Sequence, residues 1–375
     1  MSHSLTTPPA LALTVSDFFA SDLCTVYSVS TEKCYNDWIS KPGTCFEDSC
    51  CMSVQTATSW HYRFAQASQV IFSTLGLMVI MVYVFKYASK HMLACNVRIL
   101  VYIMLILMFA HSIDMIIIHT YNIVISYKVD STDPCFVRVQ VKSCAPFRYT
   151  FSFCVLGLAF CQYCVYIDRL LCAYNKNYTK YQKAFRHSLV TLWVIVTTAV
   201  IFWIYRNEDS DSYLLSCLNI PLDSMVDLSL VTALVFPINI GCCFLSVIMF
   251  RHFKNKENRS RFEINSHFTA AVDVESSEFL YIVTIFQAVF IVVYPILILA
   301  TRYFYESTPR PVHLTLATLS YVFNIYCFVV PLVMVDHGRK RTDSRKAKIW
   351  SHVKLKSVGK EGADNYFGMM QSQWK

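Results

Sequence analysis

Long uninterrupted apolar runs organise this chain, rather than the short alternations of half-buried strands. A helix crossing roughly 30 Å of hydrocarbon needs about 20 apolar residues at 1.5 Å each. Seven stretches meet that requirement: 66–85, 99–119, 150–171, 188–205, 226–250, 279–300 and 313–335. Six of the seven hold no Lys or Arg, and the third holds only Arg169, near its last turn. The pattern predicts an all-α membrane protein, a seven-transmembrane-helix bundle over 66–335. An extracellular Cys-containing segment, 1–65, precedes it, and a basic cytoplasmic tail, 336–375, follows.

Composition narrows this further. Apolar residues make up 55% of the 375 positions, and charged residues only 15%, against about 25% in soluble domains. Mean hydropathy is +0.41. The length would allow two or three soluble domains, but so much apolar surface could not be hidden in soluble cores. Disorder is excluded for the same reason. The net charge of +8 is unevenly spread. Of the 33 basic residues, 23 fall in the loops after spans one, three and five, in the tail, or at Arg169. The other ten fall on the opposite side. Positive residues stay cytoplasmic, which predicts a multi-pass cell-membrane protein with its N-terminus outside and C-terminus inside. Residues 1–20 lack a basic start and a long apolar core, so span one serves as the insertion signal. The two sequons, at Asn177 and Asn258, fall in loops predicted to be cytoplasmic and are expected to be unglycosylated.

Under this topology eight of the 16 cysteines lie outside: Cys24, Cys34, Cys45, Cys50, Cys51, Cys135, Cys144 and Cys217. An even outer set fits disulfides in an oxidising compartment. The region around Cys50-Cys51 lacks the paired spacing of a zinc site, so no metal is expected. The Cys161-x-x-Cys164 pair lies one turn apart on a membrane helix and reads as small packing residues.

Span three begins near Cys144 and ends with Asp168-Arg169. The 25 residues from Cys144 to Arg169 make about 37 Å of helix, one full crossing with both interfaces. A snorkelling interfacial pair is the plain reading of Asp168-Arg169. The cysteine and acid-Arg pair together resemble the third-helix signature of rhodopsin-like seven-helix receptors. Pro237, Pro295 and Pro331 in spans five, six and seven, and Trp193 in span four, fit that resemblance. Glu275, 20 residues before Pro295, resembles the acid that holds the third-helix Arg in resting receptors, with Glu278 as fallback. Leu170, Val330 and Met334 depart from the rhodopsin-like pattern.

The stretches FRYT, IDRLLC and RSRFEINSHFTAAVDVESSEFL are more similar to the nematode serpentine chemoreceptors, classes alpha and ab. Those families share a cysteine pair before helix three, here Cys135 and Cys144, and an aromatic run before helix six, here Arg261-Phe262 to Phe268. The resemblance implies chemosensory signalling through a heterotrimeric G protein. A bridge from Cys217 to Cys144 is expected, with Cys135 as the alternative partner.

Polar groups inside a bilayer need a reason. Asp114 lies deep in span two, His111 one turn earlier on the same face, and Asn324 is a plausible neighbour in span seven. They form either an ion or ligand subsite or a structural hydrogen-bond set. The basic segments Arg251–Arg261 and Arg339–Lys360 flank membrane spans, so they point to anionic lipid or a G protein and not to nucleic acid. Residues 347–358 could form a short interfacial helix. No cofactor is expected, and retinal is excluded because no span carries a lysine. The ligand is an unknown small molecule or peptide. The alternative to a receptor is a transporter or channel; no internal repeat supports it. A zinc hydrolase lacks a clustered ligand set beyond His111, Asp114 and His119.

Overall fold

The computed structural model describes residues 49–128, 134–175, 177–219, 221–259, 264–303 and 308–357, with isolated tail positions beyond. Cys24, Cys34, Cys45 and Arg261-Phe262 lie outside the described residues, as do the side chains of Cys50, Cys51 and Cys135. The described helices are α1 (Ser49–Thr58), α2 (Trp60–Val82), α3 (Cys95–Tyr127), α4 (Val141–Tyr174) and α5 (Tyr178–Ile204). They continue as α6 (Leu222–Arg259), α7 (Ile264–Tyr303), α8 (Arg310–Leu319) and α9 (Phe323–Ser357). A π-turn, Tyr83–Tyr87, prolongs α2. Helices α2 to α7, and α8 with α9 in line, give seven candidate membrane crossings.

The outward surface is that of a protein whose solvent is lipid. Phe64, Ile71, Met78, Ile106, Phe202, Leu234, Phe244 and Ile296 are exposed, whereas Gln66, Gln69, His111, Asp114, Gln162, Asn239 and Asn324 are buried. In hydrocarbon every polar group needs an internal partner, so polar residues turn inward and apolar ones outward. Helix α4 packs on α3, α5 and α6; α2 packs on α3 and α9; and α6 and α7 pair closely. Glycine permits two close approaches. A Cβ on Gly76 would sit 3.2 Å from the Cys327 carbonyl oxygen on α9, and one on Gly157 would press Trp193 and Leu107. The Trp193 indole N–H donates to the Gly157 carbonyl at 2.8 Å, tying α5 to α4.

The elements differ from the sequence expectation in four ways. Ser59 caps α2, accepting from the Tyr62 N–H, so the first crossing starts at Trp60 and the helix runs through the 65/66 boundary. The third crossing starts ahead of residue 150, because the helix begins at Val141 and FRYT lies inside α4. Span seven is two helices, because the chain breaks at residues 320–322. Helix α9 then runs unbroken through 335/336 to Ser357, so residues 347–357 continue that helix instead of forming one of their own. Pro237, Pro295 and Pro331 each lie inside a continuous helix, as does Pro146.

The break in span seven frees carbonyls inside the membrane. Gln69 of α2 meets them: its amide donates to the Thr318 carbonyl at 2.8 Å and approaches that of Tyr321 at 3.4 Å. Irregular backbone survives at membrane depth only when protein groups satisfy it in this way.

A small cap closes the opposite end of the bundle from Arg169. Strands β1 (Val139–Gln140) and β2 (Tyr213–Leu214) pair antiparallel, with Val139 opposite Leu214. Cys144 and Cys217 form a disulfide with Cα atoms 4.9 Å apart, which excludes Cys135 as the Cys217 partner. Helix α1 packs there through Val54 and Ala57, against Ile125 and Val137.

Two outcomes test this description. Serine at Cys144 and Cys217 together should lower stability by about 2–4 kcal/mol, read as a lower melting temperature in detergent; an unchanged transition would show that the bridge constrains nothing. Gln69→Leu should cost about 1–3 kcal/mol, because the buried Asn324 amide loses its acceptor and the Thr318 carbonyl keeps only the Tyr321 N–H at 3.3 Å. Wild-type stability in that variant would mean the break satisfies itself.

Candidate functional site

The strongest assembly of charge lies at the Arg169 end. Arg169 and Asp168 are both buried. Helix α4 presents them on successive residues, and α3, α5, α6 and α7 converge on them. The Arg169 guanidinium donates to Asp168 Oδ2 from Nη2 at 2.8 Å and Nε at 3.2 Å. Its Nη1 reaches Asp273 of α7 at 3.2 Å. The other Asp168 oxygen accepts from the Asn96 amide of α3 at 2.8 Å and from the Tyr178 hydroxyl of α5. Lys256 of α6 lies 3.9 Å from Asp273. Two carboxylates thus face one buried guanidinium and one half-exposed ammonium.

This corrects the expected partner. Neither Glu275 nor Glu278 meets Arg169; Asp273 does. Two residues turn a helix by about 200°, so Asp273 and Glu275 leave opposite sides of α7. Glu275 pairs with Arg345 of α9 at 2.5 Å and accepts from the Met92 N–H at 3.3 Å. Glu278 pairs with Arg341. Arg345 also donates to the Lys90 carbonyl at 2.9 Å, so the basic extension of α9 clasps α7 and the α2–α3 loop together. A crevice of 540 Å³ lies between α7 and α9, lined by Glu278, Phe286, Val333, His337 and Arg341 among others. His91 stacks on His337 at 5.5 Å. Burial pushes the His91 imidazole down to about 4, with His337 and Arg345 acting in the same direction. The fold therefore favours the neutral ring, and this contribution weakens only as pH falls from about 6.5 toward 4.

The second assembly lies deep between the membrane faces. His111 Nε2 and Asn324 Oδ1 are 2.9 Å apart, and the Asn324 amide donates to Gln69 Oε1 at 2.6 Å. The expected neighbours His111 and Asn324 are thus joined, and they sit on the glutamine that satisfies the break in span seven. Asp114 does not enter this chain of bonds. Its Oδ2 is buried with no hydrogen-bond partner among the described residues. Aromatic rings crowd the site. Phe151 of α4 and Tyr321 lie 5.1 Å apart, Tyr294 of α7 is 5.9 Å from Tyr321, and Phe323 is 4.8 Å from His111.

Sequence reasoning passed over Arg148. It stands two residues before the third apolar stretch and is completely buried in α4. It pairs with Glu208, and its guanidinium lies 5.4 Å from the Tyr205 ring. Tyr149 donates to Glu208 at 3.2 Å. A signal was present: Arg148 follows Cys144 by one helical turn, so it had to enter the bundle with it.

Comparison with known proteins agrees with this architecture. The family model described as serpentine type 7TM GPCR chemoreceptor Sra matches residues 46–374. The chain is 53% identical over 363 residues to serpentine receptor class beta-18 of Caenorhabditis elegans, covering 97% of this chain and 100% of that one. It is 24% identical over 312 residues to class beta-17 of the same organism, covering 82% and 85%. Identity to class alpha-2, again from Caenorhabditis elegans, is 24% over 250 residues, covering 64% and 73%. These names are of classes beta and alpha, a small shift from the classes alpha and ab that the sequence motifs suggested. The chain belongs to the Sra family of serpentine seven-transmembrane chemoreceptors, a family of membrane receptors and not of enzymes.

Proposed function

We propose that this chemoreceptor binds an external chemical cue among the helix halves on the disulfide side and signals to a heterotrimeric G protein at the Arg169 end. One observation carries the reading. A buried arginine is held by its neighbour Asp168 and by Asp273 on α7, so one movement of α7 would uncover it. The contact to Asp168 travels with α4, whereas the contact to Asp273 depends on where α7 stands. A ligand that binds the opened arrangement better shifts the population toward it.

The orientation that this function requires has two independent supports. Basic residues concentrate on the Arg169 side, as cytoplasmic segments do. The Cys144–Cys217 bridge lies at the other end, and disulfides persist in oxidising surroundings. Anionic lipid on the cytoplasmic leaflet would then meet Lys340, Lys346 and the other basic residues of the α9 extension. The transporter or channel alternative has no comparable observation behind it.

Tags at each terminus test the orientation. The N-terminal tag should stain on intact cells and the C-terminal tag only after permeabilisation; the reverse result removes the proposal.

The switch is tested by G protein activation at matched surface expression. Asp273→Asn weakens the contact that holds the closed arrangement, and basal activity should rise as the closed-to-open ratio falls about tenfold, some 1.4 kcal/mol. Arg169→Ala should abolish coupling with surface delivery intact. Glu275→Gln and Glu278→Gln should act more weakly, because their arginine partners are partly exposed. Unchanged basal activity in Asp273→Asn together with normal coupling by Arg169→Ala would reduce the pair to an interfacial anchor.

A further inference from the structure

Asp114 poses an unsolved problem of charge. It is only 5% exposed, and its Oδ2 has no hydrogen-bond partner among the described residues. No ion pair reaches it among the described residues. Arg148, a fully buried cation on the disulfide side, is already committed to Glu208. Arg63, also on that side, donates to the Ser126 hydroxyl and carbonyl, so neither arginine serves Asp114. A buried charge without a counter-ion is costly, and membrane proteins retain one where it serves a site.

The surroundings show what kind of partner is missing. His111 lies one turn before Asp114 on the same face of α3 and is fully buried. Its Nε2 faces Asn324 Oδ1. The Asn324 amide is spent on Gln69, so Oδ1 accepts and Nε2 must carry the proton. His111 Nδ1 is then a lone-pair acceptor, and it too has no partner. The Tyr321 hydroxyl is buried and, among the described residues, likewise unpartnered, and its ring lies 6.2 Å from that of His111. His111 Nδ1 can only accept a hydrogen bond, and the Asp114 carboxylate and the Tyr321 hydroxyl can each accept one. The deficit is one of donors and of positive charge.

A metal ion of the hard type wants six or more oxygen ligands, and among the described residues no group of three His, Cys, Asp or Glu side chains gathers here. The walls here are rings: Phe151, Tyr294, Tyr321 and Phe323, contributed by α4, α7 and the junction of α8 with α9. Each of the four keeps part of its surface accessible. Aromatic faces attract organic cations. We infer that Asp114 and the ring cluster around His111, one turn away on the same helix face, form the recognition site for an organic ammonium ligand, with Asp114 as its counter-ion and His111 Nδ1 and the Tyr321 hydroxyl as acceptors. The inference rests on the reading that ligand binds on the disulfide side. It adds the chemical class.

The test uses the full chain in lipid nanodiscs and reads thermal stability, which needs no G protein. The probes are 2-phenylethylammonium, choline and tetramethylammonium chlorides. The neutral isosteres 2-phenylethanol and 3,3-dimethylbutanol, and sodium chloride at equal concentration, serve as controls. At least one ammonium should raise the melting temperature where its neutral isostere does not. Asp114→Asn should weaken that probe's apparent affinity by about tenfold or more, and Asp114→Glu, which keeps the charge, should retain most of it. If Asp114→Asn does not fold, retention in Asp114→Glu and loss in Phe151→Leu carry the same test. No shift with any ammonium, an equal shift with the neutral isosteres or in Asp114→Asn, or an equal shift with sodium chloride would each overturn the inference. A response of wild-type G protein signalling to neutral compounds alone would overturn the ammonium class while leaving the receptor reading standing. Ammonium binding without any G protein response would do the opposite.

Discussion

The buried pair Asp168–Arg169 fixes the geometry of one whole end of this receptor. A guanidinium taken out of water loses several kcal/mol of solvation, and only close carboxylates and further hydrogen bonds offset it. Asp168 therefore has to be fully engaged itself. Asn96 and the Tyr178 hydroxyl occupy one oxygen while Arg169 occupies the other. Each of those donors sits on a different helix, so satisfying one charge brings α3, α4 and α5 to fixed distances. The fourth participant, Asp273, is held by a single contact of 3.2 Å to Arg169 and a looser one to Lys256. The network is thus asymmetric. Three helices are bound through a saturated carboxylate and α7 through its weakest edge. Buried ion pairs seldom add net stability over apolar packing; their use lies in specifying one arrangement and allowing another.

The lipid environment makes the same demand on the backbone. A membrane helix can be interrupted only where side chains take over the lost hydrogen bonds. Gln69 does this for α8 and α9, and Asn324 and His111 extend the chain of bonds into α3. The break at residues 320–322 is therefore a stable feature joined to α2 and α3. It also places Tyr321 and Phe323 beside His111, one turn from Asp114, where an unbroken helix would have carried them round its surface in a regular order. The irregularity and the aromatic site are one structural fact.

How much of this could be read in advance follows from what each signal depends on. The seven spans depend on length and apolarity alone, and those are local properties of the sequence. The Cys144-to-Arg169 spacing depends on helical rise, which is constant. The partner of Arg169 depends on helix rotation. A count of residues from Pro295 fixes depth but leaves the angle open, so it points to Glu275 where Asp273 faces Arg169. The break in span seven left no mark, because Ser320 and Tyr321 sit comfortably in a helix and the residue that stabilises the break, Gln69, is 249 positions from Thr318. Arg148 escaped because apolar windows discard a charge at their edge, although α4 begins at Val141 and carries it inside.

The two assemblies share helices, and this shapes how one end can affect the other. Helix α4 carries Phe151 and Arg169, 18 residues or about 27 Å apart, and α3 carries Asp114 and Asn96 at a similar separation. Both helices are largely enclosed, and Asp168 binds them to each other. They act as the fixed frame. Helix α7 bears Tyr294 in the ring cluster and Asp273 against Arg169, and much of its length faces outward. A ligand that presses on Tyr294 or Tyr321 therefore works on a helix whose far end is held by separable side-chain contacts, among them Asp273 to Arg169 and the Ser276 hydroxyl, which accepts from the Ala94 N–H at 2.8 Å. Opposing that movement are Glu275 and Glu278, clasped by Arg345 and Arg341 of α9. Those arginines sit in partly exposed pairs, which contribute about 1 kcal/mol or less each. Such a clasp is weak enough for differential ligand binding of ordinary size to overcome. It is still strong enough, together with Asp273, to keep Arg169 covered in the absence of ligand.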